Sequence, residues 1–230
     1  MNWSAFMGIA STFALLLPPA LILIFKLYTN RSLQALFLYY LLSAAYNLMV
    51  QGVIPVNVDT RRVFGTINNY LDAPMMLMFL LFFCVERWKS KAILLSLFMF
   101  FAYELVICLF YGFTRETNVY VLGPGIVLIL VFSLLLFMRH IKITIVQNRG
   151  LGKTIMLASV VFSYGCFAII YLLHYVQKTT AVNDIFLLYF ITSLVTSLLM
   201  AGGVLLINQH LKTLKELQHT RKELQVFFNN

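Results

Sequence analysis

Seven charge-poor apolar runs, each about 20 residues long, constrain this chain more than any other feature of its sequence. A helix needs about 20 apolar residues to cross the ~30 Å hydrocarbon core of a bilayer. The runs cover about 6–27, 33–51, 66–85, 92–111, 120–138, 154–176 and 185–207, with short connections between them. We therefore expect an all-α bundle of seven transmembrane helices, with the tail over about 208–230 outside it.

Composition excludes the main alternatives to a helical membrane bundle. The chain is 61% hydrophobic and 11% charged, with a mean hydropathy of +0.89, whereas a soluble domain is roughly 45–50% apolar and ~25% charged. Stretches such as 94–101 and 126–137 are apolar on every face, whereas the strands of a transmembrane barrel alternate apolar and polar residues. Neither a soluble domain nor a barrel is expected.

The distribution of basic residues predicts the orientation. Of the 17 Lys and Arg residues, thirteen lie in the first, third and fifth connections and the tail, and four lie on the opposite side. Positive residues are retained on the cytoplasmic side, so we expect the N-terminus outside and the C-terminus in the cytoplasm. The net charge of +9 then reflects topology, and no nucleic-acid partner is expected.

Cysteine usage and topology together predict the compartment. The three cysteines, Cys84, Cys108 and Cys166, lie inside predicted spans, where no disulfide framework can form from them. The expected location is a multi-pass position in a bacterial inner membrane.

Polar side chains inside the spans are few, and the predicted topology places them in the outer half of the bundle. Each ionisable group there costs roughly 2.5–3.5 kcal/mol near the bilayer centre, so each requires a reason. The candidates for a ligand-binding or proton-binding site are Asp72, Glu104, Asn68, Asn69, Asn47, Tyr103 and His174, with further hydroxyls from Tyr46, Tyr70, Tyr164 and Tyr171. These residues predict a polar cluster open to the outside, or, alternatively, simple hydrogen bonds between helices.

Asp72 is the strongest of these candidates. It lies about two turns into the third predicted span and two residues before Pro74, which frees a backbone carbonyl. A second polar set on the seventh span, Thr192, Ser193, Thr196 and Ser197 followed by Gly202 and Gly203, is instead typical of close helix packing.

No motif indicates catalysis or a metal. Of the four histidines only His174 is on the outer side, so no histidine triad can form, and there is no GxSxG nucleophile elbow. We expect no metal and no catalytic residues, and an enzyme acting on a lipid or isoprenoid is the third of three functional hypotheses.

The tail carries a short heptad pattern. The residues Leu214, Leu217, Arg221, Leu224 and Phe228 form the seam, and Lys212, Lys215 and Lys222 lie around it. We expect a basic amphipathic helix on the anionic inner leaflet of the lipid bilayer. The alternative is a coiled coil with a protein partner or a second copy of the chain.

Predicted helices one and five contain similar apolar runs, each of which begins with proline. Helix one contains the run 19–25, Pro-Ala-Leu-Ile-Leu-Ile-Phe, and helix five contains the run 124–130, Pro-Gly-Ile-Val-Leu-Ile-Leu. This similarity is compatible with a parallel 3+1+3 internal repeat.

Three segments resemble the microbial rhodopsins. The run 72–77, Asp-Ala-Pro-Met-Met-Leu, resembles that family's third-helix Thr-Thr-Pro-Leu-Leu-Leu segment, and the run 162–165, Phe-Ser-Tyr-Gly, is similar to its sixth-helix Trp-Ser-x-Tyr-Pro segment. The run from Phe186 to Gly203 looks like its seventh helix. The resemblance implies a seven-helix bundle with an outside N-terminus.

The resemblance departs from the family at the residues that hold retinal. Ser197 stands at the retinal-linking lysine, Ser193 at the counterion aspartate and Asn68 at the proton-accepting carboxylate. Apart from Lys26 at the very end of the first run, no lysine lies in any predicted span, so no covalent retinal or other cofactor is expected. We therefore expect a non-retinal receptor-like or partner-binding protein that binds a small ligand or proton near Asp72 and Glu104, or alternatively a transporter of a small solute or protons.

Overall fold

The computed structural model describes residues 3–84, 86–114, 116–147, 150–177 and 182–228. Its helices are α1 (Trp3–Ile24), α2 (Arg31–Val50), α3 (Val58–Phe83), α4 (Arg87–Tyr111), α5 (Asn118–Gln147), α6 (Leu151–Tyr171) and α7 (Val182–Phe228). A 3-10 turn (Leu27–Thr29) precedes α2, and a π-helical turn (Leu172–Val176) follows α6. The described residues contain no strand, so the prediction of an all-α fold is confirmed.

Six of the seven helices are long and apolar enough to cross a membrane, and α3 is not among them. The reason is polar sequence in its first half, where Asn68, Asn69 and Asp72 follow the charged first turns. That the segment predicted over 66–85 is a seventh membrane span therefore stays a prediction, as do the orientation and the internal repeat.

Six helices close into a ring, and α4 covers the outer side of α3. Helix α1 packs against α2 and α7, α2 against α3, α3 against α5, α5 against α6, and α6 against α7, while α4 packs outside the ring on α3 and α5. Within residues 65–83 of α3, only Ile67, Met78 and Phe82 are exposed. Because other helices cover it, α3 does not need the apolar surface that a lipid-facing helix needs.

Helices α6 and α7 approach until their backbones touch. The Ser159 hydroxyl donates a 2.9 Å hydrogen bond to the Thr196 carbonyl. A Cβ atom added to Gly152 would lie 2.8 Å from the Gly203 carbonyl oxygen, and one added to Gly203 would lie 3.0 Å from the Gly152 carbonyl oxygen. The small residues of the seventh helix thus serve close packing, as their sequence pattern predicted.

The tail begins without a break in α7. The helix is 47 residues long and runs through the predicted boundary at 207/208, because no Gly or Pro occurs between 204 and 228 to end it. The tail therefore extends α7 and does not start a separate helix. Its association with lipid or with a partner stays a prediction.

An ion-pair cluster joins α4 to α5 at the end of the bundle predicted to be cytoplasmic. The Glu86 carboxylate lies 2.9 Å from the Lys89 ammonium and 3.1 Å from the Arg139 guanidinium. The hydrogen bond from Lys89, with Arg139 nearby, lowers the pKa of Glu86. These contacts fix the start of α4, which is the least surrounded helix.

Candidate functional site

Asp72 is hydrogen-bonded to a tyrosine of another helix. The Tyr164 hydroxyl of α6 donates a 2.9 Å hydrogen bond to Asp72 Oδ2, and Tyr39 of α2 lines the same cleft as the carboxylate. Asp72 therefore ties α3 to α6. Tyr164 was one of the hydroxyl donors predicted from sequence.

Tyr39 was not predicted as a neighbour of Asp72, because the candidate residues were all taken from the predicted outer half of the bundle. Tyr39 lies near the middle of α2, below the level of the predicted cluster. The available signal was the pair of tyrosines at 39 and 40 in the middle of an otherwise apolar span.

A shallow open cleft between α2 and α3 lies beside Asp72. The residues that line it are Tyr39, Leu42, Asn68, Leu71, Asp72 and Met75. The cleft is too narrow to hold a water molecule. A solute can therefore enter only if the helices separate, whereas protonation of Asp72 adds no volume to the cleft.

Polar side chains continue from this cleft into α7. Tyr189 of α7 lies close to Asn47, Ser193 and Asp72. Asn47 is buried and its amide also donates a 3.0 Å hydrogen bond to the Ser43 carbonyl. Two of the predicted site residues, Asn47 and Asn68, thus belong to the surroundings of Asp72.

Glu104 lies on a different side of α3 from Asp72. Its charge acts on Tyr70, whose hydroxyl donates a 2.9 Å hydrogen bond to Thr117. Tyr70 and Asp72 are two residues apart, which is about 200° around a helix, so they face opposite ways. The two acids expected to share one cluster therefore occupy two separate sites.

The Tyr103 hydroxyl is hydrogen-bonded to the backbone of α5. It donates a 2.8 Å hydrogen bond to the Tyr120 carbonyl, the group that Pro124, lacking an N–H, leaves without its helical partner. Tyr171 donates a 3.0 Å bond to the neighbouring Val119 carbonyl, which the proline does not free. Because a freed carbonyl must find a partner in a membrane, the geometry gives Tyr103 a structural role.

His174 and Asn69 are not brought to Asp72 by any hydrogen bond. His174 lies in the π-helical turn, with its ring edge-on to Tyr175 at 4.7 Å between centroids. Asn69 is half-buried on α3. Their assignment to a binding site stays a prediction.

No group of three or more His, Cys, Asp or Glu side chains able to hold a metal occurs among the residues that the structure describes. Ser197 and Ser193, at which the sequence resemblance would place the rhodopsin lysine and counterion, are buried on α7, and the Ser197 hydroxyl has no hydrogen-bond partner among the described residues.

The fold defines the class of the protein. With six helices long and apolar enough to cross a bilayer, the chain is a multi-pass helical membrane protein. It matches no known protein family, no curated protein and no solved structure.

Proposed function

We propose that the protein is a receptor-like membrane module that responds to protonation of Asp72. The observation that carries the proposal is the Tyr164–Asp72 hydrogen bond, which joins α6 to α3 across the bundle. An ionised carboxylate in a membrane bundle raises the free energy of the folded protein unless it is paired or neutralised. Asp72 has a hydroxyl partner but no salt bridge among the described residues.

Protonation of Asp72 would change which helices it holds together. An ionised carboxylate accepts charge-assisted hydrogen bonds from tyrosine hydroxyls, and these are about twice as strong as neutral ones. Adding the proton weakens the bond from Tyr164 and lets α6 move relative to α3. Helix α7, in contact with α6 and continuous with the tail, provides a path for that change to the cytoplasmic side.

The proposal favours a proton over a larger ligand because of the cleft. The space between α2 and α3 does not admit a water molecule, so a bound solute would require the helices to separate, whereas protonation of Asp72 requires no added volume. A small-solute or proton-coupled transporter would use the same carboxylate but would carry its cargo across the bilayer. That activity, and turnover of a lipid or isoprenoid, are the alternatives that the experiment separates.

The test is an infrared pH titration of the protein in lipid nanodiscs. We expect the carboxyl C=O band to contain a component that Asp72→Asn removes and that Tyr164→Phe moves to a different pH. Asp59→Asn is the matched control, since Asp59 is on the same helix but its side chain is 88% exposed. Hydrogen exchange of α6 should follow the Asp72 component.

The outcomes distinguish the hypotheses. If Asp72→Asn leaves both the band and the exchange of α6 unchanged, the proposal fails. Proteoliposomes with a trapped pH indicator provide the second readout: a proton flux that Asp72→Asn abolishes, and Asp59→Asn does not, would establish transport in place of a receptor. Conversion of a supplied lipid or isoprenoid that depends on Asp72 would establish an enzyme.

A further inference from the structure

We infer that a basic cluster at the predicted cytoplasmic end of the bundle binds the phosphate of an anionic phospholipid. The cluster consists of Lys89 on α4, Arg139 on α5 and Lys153 on α6. Glu86, the residue before α4, is the acid that lies among them. Positive charge in excess at the membrane surface, set between helices, favours an anionic headgroup as the ligand.

Glu86 joins two of these cations without neutralising both. Its carboxylate lies 2.9 Å from the Lys89 ammonium and 3.1 Å from the Arg139 guanidinium. The two basic side chains remain 29% and 27% exposed, and Arg139 Nη1 makes no hydrogen bond to a described residue. One carboxylate balances one cation, so this part of the cluster keeps one positive charge in excess.

Lys153 adds a second positive charge from α6. Its ammonium lies 5.6 Å from the centroid of the Phe83 ring, and the centroid of that ring lies 6.4 Å from that of His140. His140 follows Arg139 on α5 and lies close to both Lys153 and Arg139. None of the ion pairs in the described part of the chain involves Lys153, so its charge is available to an anion.

The surface beside the cluster indicates a lipid in place of a soluble anion. Trp88 directly precedes Lys89 and is 79% exposed, and tryptophan is enriched where headgroups meet hydrocarbon. Leu95 and Met99 follow Trp88 on one face of α4 by their spacing and are also exposed. This face therefore offers an apolar surface to acyl chains next to the cations that hold the headgroup.

Glu86 makes this site distinguishable from a purely structural ion-pair cluster. Its carboxylate repels an anion, so removing its charge should strengthen the binding of a phosphate. The same change removes two ion pairs from the fold and should therefore weaken a cluster that only stabilises the start of α4. The two roles predict effects of opposite sign.

The experiment measures the quenching of Trp88 fluorescence by lipids brominated near the top of their acyl chains. Trp3→Phe leaves Trp88 as the only tryptophan of the chain, and the protein is placed in phosphatidylcholine nanodiscs that contain brominated phosphatidylglycerol or brominated phosphatidylcholine. Each basic residue near anionic headgroups contributes about fivefold in affinity, so two charges in excess predict a preference for phosphatidylglycerol of roughly 25-fold. Arg139→Gln and Lys89→Gln should each lower this preference about fivefold, and Glu86→Gln should raise it by about the same factor.

Matched variants separate this site from diffuse attraction and from the Asp72 proposal. Lys26→Gln, between α1 and α2 at the same predicted end, and Lys212→Gln in the tail should keep the full preference, as should Asp72→Asn. Equal losses in the two lysine variants would overturn the inference, as would a Glu86→Gln variant that loses the preference as Arg139→Gln does. Displacement of brominated phosphatidylglycerol by millimolar inorganic phosphate, but not by chloride of equal ionic strength, would assign the site to a soluble anion and overturn it too.

Discussion

The contact between α6 and α7 provides the sharpest test of the fold. In Gly203→Ala the new Cβ would approach the fully buried Met156 side chain and would lie 3.0 Å from the Gly152 carbonyl oxygen and 3.3 Å from the Met156 backbone nitrogen. Two of these three atoms belong to the backbone of α6. A rotamer change alone therefore cannot make room, and the helices must separate by several tenths of an ångström.

The magnitude follows from two opposing effects. Overpacking a filled contact costs about 1–3 kcal/mol, while replacing a helical glycine with alanine returns about 0.5–1 kcal/mol. The net loss is about 1 kcal/mol, which for a chain of this size lowers Tm by roughly 2–4 °C. Thermal unfolding in nanodiscs, followed by far-UV circular dichroism, measures the change.

The neighbouring glycine is the matched control. A Cβ added to Gly202 meets no atom within 4 Å, so Gly202→Ala should raise the stability slightly through helix propensity alone. Gly152→Ala, on the other side of the contact, should destabilise like Gly203→Ala. If Gly203→Ala is as stable as Gly202→Ala, the described approach of α6 to α7 is refuted.

Two further predictions concern hydrogen bonds elsewhere. Tyr103→Phe leaves the carbonyl freed by Pro124 without its donor, and should cost about 0.6–1.7 kcal/mol in thermal unfolding, whereas Tyr28→Phe, at a 45% exposed tyrosine, should cost nothing measurable. Glu86→Gln tests a pH dependence. Because its hydrogen bond from Lys89 lowers the pKa of Glu86, the stabilisation is present above the carboxyl's usual pKa of about 4.5 and is lost as pH falls through the lowered value. The Tm difference between wild type and Glu86→Gln should therefore be seen at neutral pH and vanish in acid; a difference that grows in acid would contradict the assignment.

The sequence identified many of the polar residues of the site but not which of them contact one another. Asp72 was singled out correctly as an acid that needs a partner, because an ionisable residue in an apolar span is unusual wherever the helix faces. The grouping of Asp72 with Glu104 was not supported, because their sequence positions give their depth but not the neighbour each one faces. Tyr103 was assigned to ligand binding because nothing local to it reveals that its partner is the Tyr120 carbonyl, seventeen positions further along the chain, which Pro124 frees.

The sequence by itself determined that the chain is helical and belongs in a membrane. Apolar runs of bilayer length are poorly solvated by water, and in lipid their backbone groups can hydrogen-bond only to one another, as a helix allows. The prediction of a surface helix over 208–230 did not foresee that the tail continues α7, although no Gly or Pro occurs there to end the helix. Only the tertiary structure decided what each polar group does. Packing order sets which face of α3 meets α2 and which meets α4, and thereby brings the Tyr164 hydroxyl to Asp72, while Glu104 Oε1 and Asn118 Oδ1 remain without donors among the described residues.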